Sequence, residues 1–108
     1  MQALLENEVV SLYTQDKVIS EFETLMEKVK TADAVLKNKI ETEIVSKGLK
    51  FVPELISHIQ NNKGVTRGVC AMSLIRIGKD CASYVQKAVQ ENSDFAWAAN
   101  YILNEIRA

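Results

Sequence analysis

One histidine and two cysteines are the side chains of this 108-residue chain best suited to proton transfer or nucleophilic attack. A general base needs a partner that orients it, and a second imidazole for an HExxH pair does not exist here. Val52, Leu55, Ile56 and Ile59 form one helical stripe, and His58 lies off it, so a solvated imidazole is expected. Cys70 shares a stripe with Leu74 and Ile77, which predicts a buried, inert thiol. Cys81 stands at a helix start, where a thiol pKa can fall, yet no base or metal-binding neighbour is near it in sequence. Glu21, Glu23, Glu27, Glu41 and Glu43 are spaced as solvated helix faces. With no Gly-rich phosphate loop and no Gly-x-Ser-x-Gly turn, the expectation is no catalytic residue, no metal site and no cofactor.

Composition narrows the partner. Apolar residues make up 47% and charged residues 25%, a globular balance well away from the disordered regime. The formal charge is −1, and neither half of the chain is a basic arm. No global field concentrates nucleic acid on such a protein, so nucleic acid is not the expected partner. No apolar run approaches the roughly 18 residues of a membrane span. Cys70 and Cys81 lack CxxC spacing, and no signal peptide is read at the start, so reduced thiols and a cytoplasmic protein are expected.

The elements that must hold these residues are helices throughout. Apolar residues recur at intervals of three and four between short polar or Gly-containing breaks. Val18, Phe22, Leu25, Met26 and Val29 stripe a helix from about Asp16, which is expected to cap it. Leu36, Ile40 and Ile44 stripe the next, capped by Asp33 and closed at Gly48 by a left-handed residue. Pro53 marks the first turn of a third, where its missing N–H costs nothing. A fourth carries Cys70, Leu74 and Ile77 and stops at Gly78, a fifth opens at Asp80 with Tyr84, Val85, Ala88 and Val89, and Ser93-Asp94 introduces the last. Residues 1–14, with Leu4, Leu5, Val9, Val10 and Leu12, read as a separate N-terminal helix or cap.

Gly48 and Gly78 each close the second helix of a pair, and Ile77 and Ile106 are equivalent at a period of about 30 residues. The chain is therefore expected to be one domain, 1–108, with helical pairs at 16–48, 51–78 and 80–107. Val52-Pro53-Glu54-Leu55-Ile56, followed by Arg67, Cys70, Leu74, Ile77 and Gly78, resembles a HEAT repeat. In the last pair Phe95, Ala99, Leu103 and Ile106 keep the pattern, with Ala96 in place of its Arg. In the first pair Ile40, Ile44 and Gly48 keep it. The resemblance implies an all-α fold: a short right-handed α-solenoid of about three HEAT-like helical hairpins plus an N-terminal helix. Its second helices line a concave surface. HEAT proteins are mostly scaffolds and protein-binding surfaces, although relatives of the fold act on DNA bases or attach bilin pigments.

Under that arrangement, rotation of roughly 100° per residue places Trp97, Asn100, Tyr101 and Asn104 opposite the core stripe of Ala99, Ile102, Leu103 and Ile106. One repeat earlier the same positions hold Gly68, Ala71, Met72 and Ile75, and before that Asn38, Glu41, Thr42 and Val45. Gly68 falls beside Trp97, and a helical Gly costs roughly 1 kcal/mol against Ala, so room for the indole is one expected reason for it. The other is that Trp97 and Tyr101 fold back over Gly68 and Met72. Trp, Tyr and Met are enriched at interfaces. The expected site is thus Gly68, Met72, Ile75, Trp97, Asn100, Tyr101 and Asn104, binding a peptide or helix of another protein without catalysis. Self-association through the same patch is the competing use. An accessory subunit of an enzyme complex and a HEAT-like nucleic-acid binder are the alternatives in other classes.

Overall fold

The structure is a computed structural model, and it describes the backbone of residues 2–107 and the side chains of residues 16–106. Six α-helices run through the described residues: α1 (Gln2–Lys30), α2 (Ala34–Ser46), α3 (Val52–Asn61), α4 (Val65–Ile77), α5 (Ala82–Glu91) and α6 (Ala96–Arg107). Single 3₁₀ turns at Gly48–Phe51, Gly78–Cys81 and Ser93–Phe95 lead into α3, α5 and α6. No strand occurs among the described residues, as the uniform helical period requires.

Helix α1 corrects one expected boundary. It passes through Asp16 without a break, so Asp16 is an exposed residue within a helix and not its cap. An Asp in a helix interior costs less than about 0.7 kcal/mol, and no Gly or Pro between residues 2 and 30 supplies the stronger stop. The expected N-terminal stripe of Leu4, Leu5, Val9, Val10 and Leu12 lies outside the described side chains.

The other caps follow the sequence more closely. Asp33 is extended, and its Oδ1 accepts the Leu36 N–H at 2.8 Å, satisfying a donor that the first turn of α2 leaves open. Gly48 and Gly78 have φ of +64° and +83°, which only glycine adopts without strain. Each turns the chain into the 3₁₀ turn that starts the next pair. That turn moves the expected start of the fifth helix from Asp80 to Ala82. Pro53 sits in the first turn of α3. Before α6, Asn92 Oδ1 accepts the Asp94 N–H at 3.1 Å.

Consecutive helices pack in pairs, α1 on α2, α3 on α4 and α5 on α6. α3 also meets α5, and α4 lies between α2 and α6 while touching α1. This makes α4 the most surrounded helix, and Cys70, Ser73 and Leu74 on it are fully buried. Ser73 satisfies its hydroxyl by donating to Val69 O at 2.8 Å, so its burial leaves no polar group unpaired. α1 contributes Phe22, Leu25, Met26 and Val29 to the same core, and Phe51, Leu55, Ile59, Val85 and Ile102 complete it. Each of these larger side chains stabilises the fold by about 1.5–3 kcal/mol on burial. Leu36 departs from its expected stripe: it is 41% exposed, because α2 has neighbours only on the side of Ile40 and Ile44.

Candidate interaction face

Besides Val65 at the start of α4, three large apolar side chains are exposed on α4 and α6: Trp97, 60% exposed, Tyr101, 54%, and Met72, 42%. They occupy the positions opposite the buried Cys70 and Leu74 of α4 and Ala99 and Ile102 of α6. Gly68, Asn100 and Asn104 are exposed with them, as the rotation per residue predicts. Ile75 is the exception in the expected set. It is half-buried and packs on the edge of the core, because α2 runs alongside this part of α4.

The indole of Trp97 is held by Arg67, a residue outside the expected site. The Arg67 guanidinium lies over the ring, its carbon 5.1 Å from the centroid. Arg67 is itself tied down, since its Nε–H donates to Ile59 O at 3.1 Å. At an exposed site such a cation–π contact contributes about 0.5–1 kcal/mol. The guanidinium spans from the end of α3, across α4, to α6, and so orients the Trp97 ring without covering it.

Gly68 does not make room for that ring. Among the described residues nothing lies within 4 Å of where a Cβ on Gly68 would stand, so the space beside it is open. This corrects the expected steric reason for the glycine, and it equally removes the alternative in which the aromatics fold back over Gly68. Nothing in the structure explains why position 68 is glycine.

At the other margin of the face, Arg76 bridges α4 to α2. Its Nη2–H donates to Thr42 Oγ1 at 3.1 Å, and Nη1 lies 3.7 Å from Glu41 Oε1. Both arginines of the face are therefore engaged with the protein's own groups. The exposed residues Gly68, Met72, Trp97, Asn100 and Tyr101 of the same two helices carry no charge.

The residues with chemical potential are placed differently. Cys70 is fully buried with Sγ 3.6 Å from Met26 Sδ, and burial pushes its thiol pKa up to about 12. Cys81 is also fully buried, and its pKa is raised, first by burial. A lowering at the helix start does not result, because burial, with the Asp80 charge beside it, outweighs the backbone hydrogen bonds that favour the thiolate; Sγ lies 3.3 Å from Leu74 O and 3.2 Å from Gly78 O. His58 is not a solvated imidazole. It is half-buried, because Phe22 of α1 reaches its ring, a contact that the single stripe of α3 does not reveal. No group of three His, Cys, Asp or Glu side chains among the described residues is arranged to hold a metal ion. A cleft of about 700 Å³ beside α1 and the end of α2 mixes Lys17, Lys28 and Lys47 with Asp16, Glu21 and Glu43. Among the described residues no helix is long and apolar enough to cross a membrane.

Comparison of the chain with protein-family models, with curated proteins and with solved structures finds no match in any of the three.

Proposed function

We propose that this protein is a non-enzymatic binding module that takes a peptide or helix of another protein on the α4–α6 face, with Trp97, Tyr101 and Met72 as anchors. The observation that carries this reading is the exposure of the Trp97 indole, 60% accessible although Arg67 fixes its orientation. A large aromatic kept in place but not covered is suited to bury most of its area on a partner at small ordering cost. Asn100 and Asn104 supply hydrogen-bonding groups along the same helix, the mixture of apolar centre and polar rim that protein interfaces use.

The period of about 30 residues and the HEAT-like pattern of residues 51–107 support arranging the three helical pairs as a short right-handed solenoid, with α2, α4 and α6 on its concave side. In that reading the anchors sit toward the C-terminal end of the concave surface. The nucleic-acid alternative is weaker, since Arg67 and Arg76 are both engaged within the protein. Two buried thiols without a disulfide suit a reducing compartment, and we place the protein in the cytoplasm on that ground.

The test is affinity capture from the native host with the wild-type chain and with Trp97→Ala/Tyr101→Ala, both checked by light scattering for oligomeric state. A partner retained by the wild type and lost by the double variant is the expected result. Equal capture by both would move the site off this face, and a stable dimer dissociated by the substitutions would make the partner a second copy.

A further inference from the structure

His58 is the chain's one histidine, and it sits in the seam between α1 and α3. Its ring meets Phe22 of α1 edge to face, with centroids 5.8 Å apart and planes at 75°. Nδ1 lies 3.2 Å from Nδ2 of Asn62, one helical turn further on. The same amide nitrogen donates to His58 O at 3.2 Å, which sets which end of the amide carries the hydrogens. Nδ1 therefore accepts, and the neutral ring carries its proton on Nε2. Among the described residues that buried Nε2 has no hydrogen-bond partner.

The charged groups around the ring come from both helices: Glu23, Glu27 and Lys30 from α1, and Glu54 from α3. Glu27 is committed to Lys30, with Oε1 2.6 Å from Nζ. Thr66 is the α4 side chain lining this cleft of about 510 Å³, and it carries no charge. A second proton on the ring would set an N–H at Nδ1 against the Asn62 donor. It would also leave a positive charge at the buried, unpaired Nε2, close to a lysine.

We propose that His58 is an acid-sensitive latch on α1, whose protonation loosens the seam between α1 and α3 while the α4–α6 face keeps its structure. In line with this geometry, the imidazole pKa is lowered from 6.5, first by burial and then by the Lys30 charge. Above pH 6.5 both the closed and the opened seam hold a neutral ring, and the latch costs nothing. As pH falls below 6.5 the opened form takes the proton first, so closure weakens until the lower, closed-state pKa is reached.

The experiment is hydrogen exchange on the intact chain at about pH 7.5 and about pH 5.5, corrected for intrinsic exchange rates, a window in which ordinary carboxylates stay ionised. Peptides from α1 are expected to lose protection about threefold or more on acidification, while those from α6 hold theirs. The single histidine resonance is expected to titrate with a midpoint below 6.5. His58→Gln, neutral at either pH, is expected to abolish the acid response of α1. A midpoint at or above 6.5, equal losses in α1 and α6, or an undiminished loss in His58→Gln overturns the latch. If circular dichroism shows His58→Gln unfolded, Lys30→Gln decides, because it keeps the ring and removes the like charge. It is expected to raise the midpoint and shrink the α1 response, and an unchanged midpoint with an unchanged response overturns the proposal.

Discussion

Phe51 and Trp97 are both aromatic side chains with a cation over the ring, Lys50 at 6.0 Å from Phe51 and Arg67 at 5.1 Å from Trp97. Their surroundings are opposite. Phe51 is fully buried, with Phe22 tilted against it at 5.9 Å, and its cation is a surface lysine that also reaches Glu21. Trp97 has an arginine over its ring and remains 60% exposed. The difference teaches that a cation over a ring does not itself reveal what the ring is for. Burial does: the fold needs Phe51 for its packing, whereas it positions Trp97 without using most of its area.

The widest separation between the two regions is expected from truncation of the buried ring. Phe51→Ala leaves a cavity in the centre of the core and is expected to destabilise the protein by about 3–5 kcal/mol in urea or thermal unfolding. Trp97→Ala is expected to cost under about 1 kcal/mol of stability while weakening partner binding by about 2 kcal/mol or more, measured by calorimetry with the captured partner. Similar stability losses for the two variants would erase the distinction and make Trp97 packing material. Gly68→Ala tests whether the open space beside the indole is idle. With nothing within 4 Å of the new methyl, the substitution is expected to raise stability by about 0.8–1 kcal/mol through helix propensity. A loss instead would show that another group enters that space. The finest measurement is a double-mutant cycle on Arg67 and Trp97, for which a coupling of about 0.5–1 kcal/mol is expected from an exposed cation–π pair. A coupling near zero would mean that Arg67 serves only its bond to Ile59 O.

Much of the fold is legible in particular residues. Asp33 caps α2 because a carboxylate oxygen reaches an open N–H from that position, and Gly48 and Gly78 turn the chain because a positive φ excludes a side chain. These are local effects, complete within a few residues. Asp16 misleads for the same reason: its type suits a cap, but the adjoining segments continue one helix, and a helix stops only where something breaks it. The exposed positions on α6 are equally legible. A helix with one buried stripe must turn Trp97 and Tyr101 the other way.

The sequence by itself determined the helical class, the two glycine turns between the helical pairs and the positions on α6 opposite its core stripe, because each follows from period or backbone freedom within one segment. Only the tertiary structure decided that α1 lies over His58, that Cys81 turns inward to carbonyls of α4 and Gly78, and that Arg67 reaches across to Trp97. A periodic stripe reports one buried side of a helix. It carries no information about a second neighbour, and α3 and α4 each have more than one. The imidazole and the thiol of Cys81, whose burial no single stripe reveals, sit where such a second contact removes water.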